Sequence, residues 1–97
     1  MTKRFHVYIM TNRRDGVLYV GVTSDLARRI SDHRLGAAEG FTKRYNLHRF
    51  VWLEEHPTAE DAIKREKQLK AWNRAWKIQL IEASNPDWED LFERMLV

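Results

Sequence analysis

Hydrophobic positions gather in three short strand-like runs, set apart by turn residues and by stretches with helical spacing. Phe5 to Thr11 is rich in β-branched and aromatic residues, Val17 to Val22 is a second such run, and Asp15-Gly16 between them is a hairpin signal. With Asp15 and Gly16 as the two central turn residues, Arg14 faces Val17 and Asn12 faces Tyr19. Side chains alternate between faces along a strand, so Tyr8, Met10 and Asn12 then share a face with Tyr19. A third strand is expected at Arg49-Phe50-Val51-Trp52-Leu53-Glu54, closed by a turn at Glu55-His56-Pro57.

Helical periodicity fills the remainder. Thr23-Ser24-Asp25 offers a cap for a helix to about Leu35, in which Leu26, Ile30 and His33 recur at helical spacing and Arg29 lies one turn before His33. Gly36 to Gly40 reads as a loop kept mobile by small residues. Thr58, with Asp61 three residues on, starts a helix through about Trp72. Asn73 breaks or bends it, Ala75 to Ala83 continues as another helix, and Asn85-Pro86-Asp87 reads as the start of a last, acidic helix over about 85–97. The expected class is α+β, a three-stranded and mostly antiparallel sheet with surrounding helices. It forms one domain over 1–97 with its core at about 5–80.

Composition sharpens this picture. The chain has 97 residues and no cysteine, which excludes disulfides and thiolate zinc sites. No apolar run approaches the ~20 residues of a membrane span or forms a signal-peptide core, so a soluble cytoplasmic protein without a membrane partner is expected. Residues 1–81 hold 16 of the 17 Lys/Arg and 9 of the 14 Asp/Glu, a net +7, while residues 82–97 carry a net −4. The basic part also carries the tyrosines, and a positive face favours a polyanionic partner.

One carboxylate stands out by phase. Counting about 100° per residue from Ala62 puts Glu66 at roughly 40°, Leu69 at roughly −20° and Ile63 at roughly 100°, so Glu66 falls within the apolar face of its helix. A carboxylate there must be paired, hydrogen-bonded, protonated or bound to a metal. The structural alternative is a buried ion pair with Arg29. Lys64, Lys67, Lys70 and Arg74 lie to the sides, on a solvated or polyanion-facing surface. Taken singly, Tyr8 and Tyr19 read as core aromatics with rim hydroxyls. Trp72 and Trp76 read as core, His6, His48 and His56 as structural or surface groups, and Gly21 as a close backbone approach to a helix or substrate.

Together, His6-Val7-Tyr8, Tyr19-Val20-Gly21, Arg29, His33 and Glu66 resemble the GIY-YIG nuclease family in order and spacing, over residues 5 to about 80. Phe41-Thr42-Lys43-Arg44-Tyr45-Asn46 and Arg65-Glu66-Lys67-Gln68-Leu69-Lys70-Ala71-Trp72 resemble its small stand-alone bacterial branch, related to the N-terminal domain of the excinuclease C subunit. His6 stands where the family has its first glycine. The resemblance implies an endonuclease that hydrolyses phosphodiester bonds of nucleic acid, DNA in the first instance, in repair or recombination. Its catalytic residues would be Tyr8, Tyr19, Arg29, His33 and Glu66, with Glu66 the ligand of one divalent cation, Mg²⁺ or Mn²⁺. Arg29 would contact the scissile phosphate. Tyr8 would activate or orient water, as a base if cations lower its pKa, with Tyr19 beside it. His33 would support the phosphate or relay a proton. Gly21, Lys43, Tyr45, Asn46 and Lys67 are the substrate-binding candidates. Two rival functions are a catalytically weak nucleic-acid-binding module and a protein-interaction domain using the acidic last helix. Oligomeric state stays open.

Overall fold

The three apolar runs form strands β1 (Phe5–Thr11), β2 (Leu18–Thr23) and β3 (Arg49–His56). Helix α1 (Leu26–Arg34) follows the hairpin, while α2 (Ala59–Ala71) and α3 (Arg74–Ser84) follow β3. This computed structural model describes residues 4–34 and 44–92. The expected loop at Gly36 to Gly40, Lys43, and residues 93–97 of the expected last helix lie outside the described residues.

The sheet order is β2-β1-β3, with β1 antiparallel to both neighbours. The hairpin parity is as expected but the register is not. Met10 pairs with Tyr19 and Thr11 with Leu18, so Asn12 has left the ladder. Polar side chains explain the longer loop by replacing ladder bonds with local ones. Thr11 Oγ1 donates to the Arg13 carbonyl at 2.8 Å, and Asn12 Oδ1 accepts from Val17 N at 3.1 Å. Gly16 N closes a turn onto the Arg13 carbonyl at 3.0 Å, and Asp15 takes the left-handed conformation at φ 57°. The shift of two residues preserves the face, so Tyr8 and Met10 still lie on the side of Tyr19.

Each sheet face carries its own apolar cluster. Val7, Ile9 and Val20, with Val51 and Trp52, pack under Ala62 and Leu69 of α2, Ile81 of α3 and Trp88. On the opposite face Tyr8, Met10 and Phe50 pack with Ile30 of α1 and Leu47. A bulge in β3 leaves Val51 unpaired between Trp52 opposite Ile9 and Phe50 opposite Met10. The helix caps follow the sequence signals. Thr58 Oγ1 accepts from Asp61 N at 3.2 Å, and Asn73 ends α2 by capping α3 through Trp76 N at 2.9 Å.

Two further expectations are corrected. Asn85-Pro86-Asp87 does not open a helix, and residues 85–91 form an irregular strap. Asn85 instead closes α3, its N–H reaching the Ile81 carbonyl at 2.8 Å. Its side-chain amide donates to Val51 O at 3.1 Å and Glu89 O at 2.8 Å. Leu91 N donates to Phe50 O at 2.8 Å and Asp90 Oδ1 accepts from Phe50 N at 3.2 Å, so the strap lies along β3. Asp90, an acid expected on a partner-docking helix, is thus used inside the fold on β3, while Glu82 of α3 accepts from Trp88 Nε1 at 2.8 Å. The second correction concerns Trp76, which is 52% exposed rather than core, whereas Trp72 packs on the α2 side of the core.

Candidate active site

Tyr8 comes from the central strand, and its ring is almost wholly buried. A Cβ added at Gly21 would lie 2.5 Å from both Tyr8 Cζ and Oη. The close approach expected at Gly21 is therefore to Tyr8, not to a helix or substrate. With no side chain there, the phenol crosses β2 towards the edge of the sheet. Tyr19 stands beside it with ring centroids 6.3 Å apart at 42°.

Helix α1 brings His33 onto the same group. Its ring meets Tyr8 edge-on at 6.3 Å and Phe50 at 5.9 Å, and Phe50 also packs on Tyr8 at 5.5 Å. Phe50 is a neighbour that sequence reasoning missed, although the alternation along β3 places it on this face. His33 is buried, and neither ring nitrogen has a hydrogen-bond partner among the described residues. Burial, with Arg29 close by, holds its pKa below the ordinary 6.5, while Asp32 opposes this. Arg29 itself is exposed, in a polar cleft of about 250 Å³ lined also by Thr23, Ser24, Asp25, Arg28 and Asp32.

Glu66 arrives from the opposite face of the sheet. It lies on α2 between the buried Ala62 and Leu69, with its side chain 15% exposed. The phase argument thus holds, but the observed ion-pair partner is Lys70, at 3.4 Å one turn on, instead of Arg29. Both charged groups act on Tyr8. Burial is the largest cause raising the Tyr8 phenol well above its ordinary pKa of 10.0; Tyr19 and Glu66 raise it further and Arg29 opposes them. In the free chain the Arg29 guanidinium thus does not bring about the lowering on which base action by Tyr8 was conditional, and burial favours the neutral phenol.

The other candidates lie outside this cluster or beside it. Tyr45 is 39% exposed with the Arg44 guanidinium 5.6 Å over its ring, and Asn46 has φ 54° with its carbonyl accepting from His48 Nδ1 at 2.9 Å. Lys67 is exposed on α2. His6 pairs with Thr23 on one side and Glu55 on the other, and its buried Nδ1 has no partner among the described residues. Burial lowers its pKa, with Glu55 opposing and His56 adding to the shift.

These histidines set a pH dependence. Both have folded-state pKa values below 6.5, so the unfolded chain binds protons first as pH falls. Their contribution to stability is complete above that value and is lost on descending through it. The melting temperature is expected to fall between about pH 7.5 and 5.5, and to fall less in a His6→Gln/His33→Gln variant. Equal slopes in thermal melts of both proteins would rule these two groups out as the source.

A family model for the GIY-YIG catalytic domain matches residues 4–79. The chain is 33% identical over 78 residues to a UPF0213 protein of Staphylococcus saprophyticus, covering 80% of this chain and 94% of that one. It is 31% identical over 77 residues to a UPF0213 protein of Staphylococcus aureus, covering 79% and 94% respectively. The solution NMR structure of a UPF0213 protein from Bacillus halodurans is similar at a TM-score of 0.57 and 31% identity, covering 93% of this chain and 95% of that one. Among the described residues no helix is long and apolar enough to cross a membrane.

Proposed function

Because the chain belongs to the GIY-YIG nuclease family, we propose that it is an endonuclease hydrolysing phosphodiester bonds of DNA, with one Mg²⁺ or Mn²⁺ held at Glu66. One observation carries this: the phenol of Tyr8 crosses β2 over Gly21, between helix α1, which carries Arg29 on one face of the sheet, and helix α2, which carries Glu66 on the other. A cation-binding carboxylate, a guanidinium and a water-orienting hydroxyl are the groups that phosphodiester hydrolysis asks for. Cytoplasmic DNA repair or recombination is the setting we infer from the resemblance to the excinuclease C N-terminal domain.

The donor set fits such a cation. Among the described residues no three His, Asp or Glu side chains converge into a cage. Mg²⁺ is commonly held by one or two carboxylates, with water and phosphate completing its shell, and Glu66 offers one such oxygen donor. When bound, the cation neutralises negative charge gathering on the phosphoryl oxygens. Arg29, exposed at the cleft, contacts the scissile phosphate and stabilises the same charge. Tyr8, kept neutral by burial, orients the attacking water through its hydroxyl, and Tyr19 positions water or phosphate beside it. The two ring nitrogens of a neutral His33, without a partner among the described residues, offer one donor and one acceptor for phosphate or a relayed proton.

The test is the purified chain with Mg²⁺ or Mn²⁺ on linear, nicked and branched DNA, beside Tyr8→Phe and Arg29→Ala. Cleavage is expected from the wild type, with loss on chelation and losses of roughly a hundredfold or more in each variant. Equal cleavage by all three proteins would sink the proposed mechanism.

A further inference from the structure

Helix α3 opens with an indole that the fold leaves uncovered. Trp76 is 52% exposed, whereas Trp52 and Trp88 are 5% and 0% exposed. It is nevertheless held in place. Its ring meets Trp72 edge-on, with centroids 5.8 Å apart at 89°, and its backbone N–H is fixed by the Asn73 cap. Trp72 in turn lies 5.3 Å from the Arg65 guanidinium, which also covers Trp52 at 5.9 Å. Arg65 is itself tied to Glu54 Oε1 at 3.0 Å and Gln68 Oε1 at 2.6 Å. A chain of contacts from Trp52 through Arg65 to Trp72 and then edge-on to Trp76, anchored in the core, thus presents one half-open ring to solvent.

Basic residues lie along the two helices that meet at this ring, although the Arg74 guanidinium is itself turned to the Asp15 and Gly16 carbonyls at 2.6 Å. The stack adjoins a cleft of about 360 Å³ lined by His56, Lys64, Arg65 and Gln68, with Asp61 its one carboxylate. Arg74 and Lys77 flank Trp76 in sequence, and the first turn of α3 carries no acid. Measured around α2 from Ala62, Glu66 lies at roughly 40°, Lys67 at 140°, Lys64 at 200° and Arg65 at 300°. Lys67 and Lys64, both exposed, therefore lead across the outer side of α2 from the Glu66 flank to the Arg65–Trp72 flank. A fixed aromatic surface beyond the C-terminal end of a helix whose outer side carries exposed cations matches single-stranded nucleic acid, whose bases stack on aromatic rings while phosphates track positive charge.

We propose that Trp76 is the stacking platform of a second nucleic-acid contact, which takes an unpaired stretch of the substrate after it crosses Lys67 and Lys64. This rests on the reading of the chain as acting on nucleic acid, and it names the substrate class as DNA with a single-stranded portion beside the cleavage site. Tryptophan 76 supplies the stacking surface, while Lys64 and Lys67 meet the phosphates.

The test uses the full chain without divalent cation, so that binding is read without cleavage. A fluorescein-labelled oligothymidylate and a blunt duplex of equal length are titrated at low salt by anisotropy. Trp76→Ala is expected to weaken oligothymidylate binding roughly fivefold or more, with Trp76→Phe retaining most of the affinity and the duplex less affected. Intrinsic tryptophan quenching by the oligonucleotide should be lost in Trp76→Ala. Unchanged affinity and quenching in Trp76→Ala would overturn the proposal. So would altered self-association with unchanged oligonucleotide affinity, which assigns the surface to a protein contact. Cleavage by the wild type separates the two ideas. A Trp76 effect on binding by a protein that cuts nothing upholds the platform and removes the endonuclease reading, and cutting without a Trp76 effect does the reverse.

Discussion

Glu66→Ala is expected to slow DNA cleavage roughly a thousandfold, about 4 kcal/mol of transition-state stabilisation, while leaving the melting temperature unchanged or higher. The two halves of this expectation come from the same geometry. The carboxylate sits between the fully buried Ala62 and Leu69, with its side chain only 15% exposed. Its charge partner Lys70 is 52% exposed at 3.4 Å, a helix pair of the kind that contributes only about 0.3–0.5 kcal/mol. Alanine is the better helix former and removes a charge from a poorly solvated place, which offsets that small loss. The fold therefore gains little from Glu66, whereas a bound cation would depend on it. Rates at saturating Mg²⁺ and thermal melts of the same preparations decide the matter. A melting temperature lowered by many degrees, with cleavage lost only in proportion to the unfolded fraction, would make Glu66 a structural residue.

Trp88→Ala should be the most damaging substitution for stability, at about 3–5 kcal/mol, against a total of about 5–15 kcal/mol for a domain of this kind. Trp88 is 0% exposed and joins the cluster of Val7, Ile9, Leu69 and Ile81. Its indole N–H donates to Glu82 Oε2 at 2.8 Å, and its carbonyl accepts from Arg49 Nη1 at 3.2 Å. Its backbone sits at φ 55°, a left-handed conformation that a bulky residue adopts only when tertiary contacts hold it there. Trp88→Phe should lose less, because most of the apolar volume stays while the bond to Glu82 goes. Urea unfolding followed by circular dichroism measures both, and a Trp88→Ala midpoint equal to that of wild type would refute the assignment. Trp76→Ala, by contrast, should leave the unfolding midpoint close to wild type, since its ring is half in water already.

Much of the site is readable from spacing because period and phase are local properties. Parity alone puts Tyr8 and Tyr19 on one face, and helical phase alone turns Glu66 inward. Register is different. It depended on Asn12 leaving the ladder for a side-chain bond to Val17 N, while the Thr11 hydroxyl bonds the Arg13 carbonyl, a competition between polar groups of similar strength that strand patterning does not resolve. The last segment misled for a related reason. Asn85-Pro86-Asp87 has the chemistry of a helix start, but Asn85 makes its bonds to Val51 and Glu89, and Trp88 gains more by entering the core than a helical turn would return. Trp76 shares helical spacing with Trp72, yet only Trp72 faces the sheet. The neutral state of Tyr8 was hidden as well, since burial comes from Phe50 and His33, both distant in sequence, and outweighs the one nearby cation.

The strap from Asn85 to Leu91 has a practical meaning for where this domain ends. The family match stops at residue 79, before the strap begins. A chain cut at Ser84 would strip the Asp90 carboxylate and the Leu91 amide from Phe50, baring hydrogen-bonding groups along the outer rim of the sheet. Such a rim is a template for pairing with another molecule, so the shortened protein would be prone to edge-to-edge aggregation however intact the cluster around Tyr8 remained.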